Sequence, residues 1–230
     1  MPARRQPNPH SESVDDYLKA ILALEGPGKL RPMGTALADR LGVAPASVTN
    51  MLQKLAALPT PLVEYERHRG ARLSQAGRRR ALEVLRHHRL IETFLYEVLD
   101  YPLEEVHEEA ERLEHFISER FEARIAAKLG NPIIDPHGHC IPAMDGKMAK
   151  KNSVLLTQVI GEGTFEVDSI SDRDAATVKL LSTSGIAHGV QLRLREPHAE
   201  DVYAVSIGGS AQVLHLSREA ADTIRVHPSH

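Results

Sequence analysis

Residues 35–55, T-A-L-A-D-R-L-G-V-A-P-A-S-V-T-N-M-L-Q-K-L, decide the fold of the N-terminal third of the chain. Thr35–Leu41 has the pattern of a short helix, Gly42 turns the chain, and a second helix is predicted to begin at about Pro45. The apolar face of that second helix is formed by Val48, Leu52 and Leu55. Two short helices around a glycine turn have the spacing of a helix-turn-helix.

The exposed face of the second helix begins with three small polar residues, Ser47, Thr49 and Asn50. Side chains of this kind can reach base edges and phosphates when a helix lies in a DNA major groove. The same residue types are also common on solvated helix faces. These three residues alone therefore leave DNA contact open, and the segment that follows them favours it.

The segment after the second helix predicts a β-wing. Leu62–Glu66 and Ala71–Ser74 have the composition of two short strands, and His68-Arg69-Gly70 has that of the turn between them. The cationic side chains at or near the tip are Arg67, His68, Arg69 and Arg72, and Arg78-Arg79-Arg80 follows at the start of the next helix. A cationic wing beside a recognition helix is typical of phosphate contacts, which position a DNA-binding module without reading its sequence.

The charge of the 230-residue chain changes sign along its length. Residues 1–80 hold 13 Lys and Arg against 7 Asp and Glu, whereas residues 81–150 hold 8 Lys and Arg against 14 Asp and Glu. A basic segment next to an acidic one indicates a polyanion as the partner of the first and a cation as the partner of the second.

The composition is that of a cytoplasmic globular protein. With 42% hydrophobic residues the chain can form packed cores, no apolar run reaches the length of a membrane span, and residues 1–20 lack the apolar centre of a signal peptide. The single cysteine, Cys140, cannot form an internal disulfide. We therefore predict a cytoplasmic protein that does not associate with a membrane.

Candidate metal ligands concentrate in residues 107–115, H-E-E-A-E-R-L-E-H. Their spacing of three and four residues places four potential ligands on one face of a helix. These four are His107, Glu111, Glu114 and His115. Three further candidates are His88 and Glu92, which are themselves an i, i+4 pair, and Asp16 in an acidic helix start. Carboxylate and imidazole ligands without thiolate suit Mn²⁺ or Fe²⁺.

An enzyme fits the same stretch less well. The segment from His107 begins like the H-E-x-x-H of zinc peptidases but has Glu111 at the fifth position. Glu104-x-x-His107 is one E-x-x-H, whereas di-iron bundles need two on separate helices. A metal-binding enzyme or storage protein, whose winged helix contacts other proteins, stays as the alternative to a metal sensor.

Helical periodicity predicts three further helices. The first follows an N-cap at Ser13 and ends at Gly26-Pro27-Gly28, after a Pro- and Arg-rich segment, residues 1–10, that we expect to be disordered. The second is capped by Ser74 or Gln75 and runs to about Leu99, and the third is expected as one continuous helix from Leu103 to Leu129.

Residues 131–151 are predicted to be a linker, and the remainder a small β domain. The expected strands are Val154–Ile160, Thr164–Ile170, Val190–Arg195, Val202–Ile207 and Gln212–Leu216, with a helix at Asp174–Ser184. Five short strands suggest a small barrel. His137 and His139 in the linker can ligate metal, but we interpret them as part of a connecting loop.

These residues resemble the diphtheria-toxin-repressor and manganese-transport-regulator family of metal-dependent transcriptional repressors. The resemblance covers most of the chain and rests on Ala46–Leu55, His88–Glu92, Val106–His115 and Gly130–Pro142. The second and third segments are specific to the family, whereas the first is shared by many winged helices. The resemblance implies a homodimer that pairs through its middle helices and binds a palindromic operator in double-stranded DNA.

The resemblance also divides the candidate ligands into two sites. The primary site would consist of Asp16, Glu111, Glu114 and His115, and the ancillary site of His88, Glu92 and His107. Asp16 and Glu111 match manganese-responsive members, since iron-responsive ones tend to have Met and Cys there. Lys19 stands where two-domain manganese regulators have Glu, which favours two separated sites. The resemblance offers Gln158 and Glu162 as candidate ligands from the third domain.

We therefore predict a mainly α N-terminal part, made of a winged helix-turn-helix and a helical dimerisation domain, followed by a small all-β SH3-like domain. The expected boundaries are 1–75 for the DNA-binding domain, 76–140 for the metal-binding and dimerisation domain, and 152–227 for the SH3-like domain. The predicted function is a manganese-activated, sequence-specific DNA-binding repressor of metal-uptake genes, with an iron-activated repressor as the alternative.

Overall fold

The computed structural model describes residues 11–25, 31–195 and 201–229. The expected disorder of residues 1–10 and the expected helix end at Gly26-Pro27-Gly28 lie outside the described residues.

The chain divides into two compact units. The first contains the residues up to His87 together with Met144–Lys147, and the second contains His88–Ala143 and the residues from Met148 onward. The predicted fold class is confirmed, because a helical part with a winged helix-turn-helix precedes a small antiparallel sheet domain.

The first unit is a winged helix-turn-helix. It contains α1 (Glu12–Leu24), α2 (Gly34–Leu41), α3 (Pro45–Ala56), β1 (Val63–Glu66), β2 (Gly70–Leu73) and the first half of α4 (Gln75–Leu99). Gly42 ends α2 in the left-handed conformation, and Pro45 lies in the first turn of α3, where its missing N–H costs no helical hydrogen bond. Leu18, Leu37 and Leu52 from the three helices are fully buried in one core. The helix α1 follows Ser11, so the N-cap predicted at Ser13 is wrong.

The wing is a two-stranded antiparallel ribbon in which Val63 pairs with Leu73 and Glu66 with Gly70. The Ala71 N–H donates to the Pro32 carbonyl at 3.1 Å, which fastens β2 to the segment before α2. Gly70 has a φ of +83°, and a Cβ there would lie 2.5 Å from the Pro32 oxygen. This position therefore requires glycine.

The middle of the chain forms two short helices where the sequence predicts one helix from Leu103 to Leu129. The helix α5 spans Val106–Leu113 and α6 spans Glu119–Lys128. The prediction is wrong at residues 114–118, because the Ser118 side chain accepts a hydrogen bond from the Phe121 N–H and starts a new helix. Two small cores hold α5 and α6 against α4 and contain Ile91, Leu95, Val106 and Ala110, and Leu90, Ile125, Ala126 and Ile141.

The C-terminal part is a six-stranded antiparallel sheet with the strand order β3-β8-β4-β5-β6-β7. Its elements are β3 (Val154–Leu155), β4 (Gly163–Ile170), α7 (Ala175–Thr183), β5 (Gln191–Arg195), β6 (Val202–Ile207), β7 (Leu214–Ser217), α8 (Arg218–Ala221) and β8 (Ile224–Pro228). Leu156, Val167 and Leu192 are fully buried in its core.

Two strand predictions in this sheet are wrong. The strand expected over Val154–Ile160 ends at Leu155, because Leu156–Gln158 forms a 3-10 turn. The strand β8 is missing from the sequence prediction, although it lies between β3 and β4. Its inward apolar residues are only Ile224 and Val226, which is too short an alternation to indicate a central strand. No helix in the described ranges has the length and apolarity needed to cross a membrane.

Candidate functional site

A cluster of imidazoles and carboxylates lies between α4 and the start of α5 in the second unit. His88 and Glu92 lie one turn apart on α4, with His88 Nε2 3.0 Å from Glu92 Oε1. His107, at the start of α5, brings its Nδ1 to 3.1 Å from His88 Nε2 and 3.3 Å from Glu92 Oε1. The structure therefore brings together the three residues of the predicted ancillary site.

The third domain adds a carboxylate to this cluster. Asp172 lies two residues after β4, and its Oδ2 is 3.8 Å from His107 Nδ1. One potential ligand atom from each of His88, Glu92, His107 and Asp172 lies within 4.8 Å of the others. Gln158 and Glu162 are not part of this group: Gln158 accepts a hydrogen bond from the Leu155 N–H, and Glu162 is exposed in the loop before β4. The resemblance offers Gln158 and Glu162 from the third domain, whereas the carboxylate of that domain that lies in this group is Asp172.

The linker also lies close to the cluster, and the interpretation of its two histidines as part of a connecting loop stays untested. His137 Nδ1 lies 3.8 Å from Glu92 Oε1, and His139 Nδ1 lies 3.6 Å from Asp172 Oδ2. Asp135 shapes this loop, because its Oδ1 accepts the N–H groups of His137 and His139 at 2.9 Å each. The spacing D-x-H-x-H was the available signal in the sequence.

Buried polar atoms in the cluster lack the hydrogen bonds that burial normally requires. His137 and Glu92 are fully buried, yet neither ring nitrogen of His137 nor Glu92 Oε2 has a hydrogen-bond partner among the described residues. An unsatisfied buried polar atom costs roughly 1–3 kcal/mol. Hard oxygen and imidazole donors that converge, with unsatisfied atoms among them, fit a divalent cation such as Mn²⁺ or Fe²⁺.

The charges in the cluster perturb its titration. Burial raises the pKa of Glu92, but the neighbouring imidazoles of His88 and His107 outweigh that effect and hold the pKa well below its ordinary range. Burial lowers the pKa of His139, but the carboxylates of Asp135 and Asp172 more than compensate and raise it. The Glu92 carboxylate is thus ionised and available to a cation.

The predicted primary ligands of the second unit adjoin the same cluster. His88 Nδ1 lies 2.6 Å from Glu114 Oε2 and 3.8 Å from Glu111 Oε1. Glu114 is buried and directly follows α5, with its N–H donating to the Ala110 carbonyl at 2.9 Å, and one of its potential ligand atoms lies within 4.8 Å of those of His88 and Glu111. His115 lies in the turn after the helix. Asp16 is half-buried on α1 of the first unit. The primary site stays a prediction.

The predicted DNA-contacting residues lie on α3 and at the wing tip. Ser47 and Asn50 are exposed, whereas Thr49 is half-buried and its hydroxyl donates to the Pro45 carbonyl at 3.2 Å. Arg67 and His68 are exposed in the turn between β1 and β2. The side chains of Ser47 and Asn50 are thus accessible on the surface of α3, whereas the Thr49 hydroxyl is hydrogen-bonded within its own helix.

Several arginines that the sequence assigns to a cationic surface form ion pairs within the first unit. Arg69 Nη1 lies 3.2 Å from Glu66 Oε2, and Arg72 Nε donates to Glu64 Oε2 at 2.7 Å. In the triple-arginine segment, Arg78 pairs with Glu25, and Arg80 makes two hydrogen bonds to the buried Asp15, at 2.8 and 2.7 Å. The basic surface is therefore smaller than the count of arginines suggests.

Comparison with protein families matches two adjoining segments. Residues 10–71 match "Iron dependent repressor, N-terminal DNA binding domain", and residues 74–143 match "Iron dependent repressor, metal binding and dimerisation domain". The first segment contains α3 and most of the wing, and the second contains six of the seven predicted metal ligands.

Relatives and solved structures extend the similarity over nearly all of the chain. The iron-dependent repressor IdeR of Mycobacterium leprae is 33% identical in an alignment of 228 positions that covers 94% of this chain and 96% of that protein. A solved manganese-dependent transcriptional repressor in complex with manganese is 35% identical, with a TM-score of 0.86 over 94% of this chain and 99% of the other. The structure of ScaR with bound Zn²⁺ is 30% identical, with a TM-score of 0.78 over 97% of this chain and 100% of the other.

Proposed function

Because the chain belongs to the diphtheria-toxin-repressor family of metal-dependent, DNA-binding transcriptional repressors, we propose that it is a manganese-activated repressor of metal-uptake genes. The members of this family are repressors and not enzymes, which removes the enzyme alternative. The relatives include proteins named for iron and for manganese, so the choice of ion rests on this chain's own residues.

The buried cluster of the second unit is the observation that carries the proposal. Its unpartnered atoms, above all those of His137, have no purpose in a metal-free core, where they are only destabilising. We propose that His88, Glu92, His107, His137 and Asp172 supply ligands to a cation. When bound, the cation supplies the positive charge that compensates for gathering buried carboxylates.

Hardness of the ligands favours Mn²⁺ over Fe²⁺. The cluster contains only oxygen and imidazole donors, and Cys140, although buried in the same loop region, belongs to no group of potential ligands in the described residues. The predicted primary set of Asp16, Glu111, Glu114 and His115 is likewise free of sulfur. Fe²⁺ is the competing ion, because it accepts the same donors.

We further propose a homodimer that reads a palindromic operator in the cytoplasm. Large apolar side chains are exposed at the end of α4, in the turn after α5 and on α6: Leu99 is 50% exposed, Phe116 72% and Phe121 50%. Exposed apolar surface of this kind marks an interaction site, and a second copy of the chain is the partner that a dimerisation domain requires. Two α3 helices, one from each copy, would then contact two half-sites.

Selection from a random duplex pool tests this function. The selection is run with Mn²⁺, with Fe²⁺ under anaerobic conditions, and with a chelator. We expect a palindrome to be enriched only with metal, at lower concentrations of Mn²⁺ than of Fe²⁺. Activation at a lower concentration of Fe²⁺ would replace manganese by iron in the proposal, and enrichment that ignores the chelator would contradict metal activation.

A further inference from the structure

The linker loop that carries His137 and His139 is fastened to β4, the strand that leads to Asp172. The Ile170 N–H donates to the His137 carbonyl at 2.9 Å. Gly138 has a φ of +93°, and a Cβ there would lie 2.3 Å from the Asp168 carbonyl oxygen, so the loop and the strand are in backbone contact. The linker loop and β4, which carry His137, His139 and Asp172, are therefore in contact along one seam.

Lys151 lies on this seam and bridges both sides. Its ammonium donates to the Gly138 carbonyl at 2.6 Å on the loop side. On the strand side it contacts the Asp168 carbonyl at 3.1 Å and the Asp168 carboxylate at 2.8 Å. An ammonium has three N–H donors, and these three acceptors use all of them.

The backbone of β4 is shaped to present these acceptors. Its pairing with β8 shifts register between Val167 and Ser169, which places Asp168 in a β-bulge. A bulge leaves one residue out of the ladder and commonly turns it toward a functional site. The Asp168 carbonyl is contacted by Lys151 and also lies 2.9 Å from His188 Nδ1. Burial raises the pKa of the Asp168 carboxyl group, but the hydrogen bond from Lys151 outweighs this effect and lowers the pKa.

We propose that Lys151 is a positioning residue for the cluster of candidate metal ligands. It holds the loop of His137 and His139 against β4, so that Asp172 and these imidazoles face the same cation. This inference rests on the proposed function, because it concerns how the proposed cation site is assembled. Lys151 itself contributes no ligand. Its effect on the metal is transmitted through the loop and the strand, as for residues that orient the ligands of other metal sites.

Titration of the full-length protein with Mn²⁺ tests the proposal, with the electron paramagnetic resonance signal of free Mn²⁺ as the readout. The titration uses an Asp16→Asn background, which removes one ligand of the predicted primary set and leaves the cluster intact. Lys151→Met should lower the Mn²⁺ affinity about tenfold, the lower end of the effect of removing an orienting residue. Lys151→Arg keeps a cation at the seam and should lower the affinity less.

Lys147→Met is the matched control. The Lys147 side chain is 86% exposed and pairs only with the neighbouring Asp145 among the described residues, so its replacement should leave the Mn²⁺ affinity unchanged. Hydrogen exchange of the metal-free protein gives an independent readout: residues 135–139 should exchange faster in Lys151→Met and at the parental rate in Lys147→Met.

A purely structural role for Lys151 has a different signature. In that case Lys151→Met would have a lower thermal midpoint but the same Mn²⁺ affinity as Lys147→Met. That result overturns the proposal. If the parent protein with an intact Asp16 takes up no Mn²⁺, the proposed function itself fails. The two failures are therefore distinguishable.

Discussion

His88 shows how one side chain can serve two sets of predicted ligands. Its Nδ1 lies 2.6 Å from Glu114, and its Nε2 lies 3.0 Å from Glu92. With a cation bound, His88 would be neutral, and donation of its one remaining proton from Nδ1 to Glu114 would leave the Nε2 lone pair for the cation. A carboxylate that fixes the tautomer in this way makes the opposite nitrogen a better metal ligand.

Replacing His137 should separate metal binding from stability. In His137→Leu, the apolar side chain removes two unpartnered ring nitrogens from a fully buried position, so the metal-free protein should gain about 1 kcal/mol in its free energy of unfolding. The same change should weaken Mn²⁺ binding and reduce the metal-induced rise of the thermal midpoint. Urea unfolding with chelator, followed by calorimetric Mn²⁺ titration, measures both effects.

The exposed His215 on β7 provides the control for His137. His215→Leu makes the same chemical exchange away from the cluster and should leave Mn²⁺ affinity at the parental value. If His137→Leu binds Mn²⁺ as tightly as His215→Leu does, His137 is not a ligand.

At the scale of elements, local signals in the sequence identified what local forces determine. The turn at Gly42, the start of α3 at Pro45 and the wing depend on residue types within a few positions. The sequence does not predict the break after α5, because Leu113 and Ile117 continue the apolar period across it. The N-cap at Ser118 nevertheless starts a new helix there. Periodicity alone cannot show which of two competing local signals prevails.

The wing depends on a close backbone contact that a second glycine lacks. Gly42→Ala places a Cβ in open space at a φ of +64°, so it should cost only the penalty of the left-handed conformation, about 1–2 kcal/mol. Gly70→Ala adds a clash with the Pro32 carbonyl and should destabilise the protein by at least about 1 kcal/mol more. Urea unfolding of the two variants measures the difference, and equal losses would show that the Pro32 contact yields without strain.

The exposed apolar side chains at the end of α4, in the turn after α5 and on α6 should hold the proposed dimer together. Phe116→Glu places a charge on this surface and should convert the dimer to a monomer, because burying an unpaired carboxylate at an interface is costly. Light scattering after size-exclusion chromatography measures the mass. Ile160→Glu is the control, since Ile160 is 98% exposed in the C-terminal part of the chain and should leave the mass unchanged. A Phe116→Glu protein that stays dimeric would place the interface elsewhere.

At the scale of the whole molecule, some residues of the cluster can be predicted from the sequence and others cannot. His88 and Glu92 are visible as an i, i+4 pair because helical spacing alone brings them together. Asp172 and His137 lie far along the chain from both, and only the packing of the linker and β4 brings them near Glu92 and His107. The D-x-H-x-H spacing marks His137 as a potential ligand, but no local pattern links Asp172 to Glu92 and His107, and the resemblance offers Gln158 and Glu162 in its place.

The contribution of the third domain to metal binding should be visible as linked stability. A cation present at 100 times its dissociation constant stabilises the folded state by about 2.7 kcal/mol per site. Scanning calorimetry should therefore show a Mn²⁺-dependent rise in the unfolding temperature of the parent protein, and a smaller rise for Asp172→Asn, which removes the carboxylate 3.8 Å from His107. Asp201→Asn changes an exposed carboxylate of the same sheet domain that pairs with Arg218, and it should keep the full rise. If Asp172→Asn also keeps the full rise, the C-terminal sheet domain lies beside the candidate metal ligands but supplies none of them.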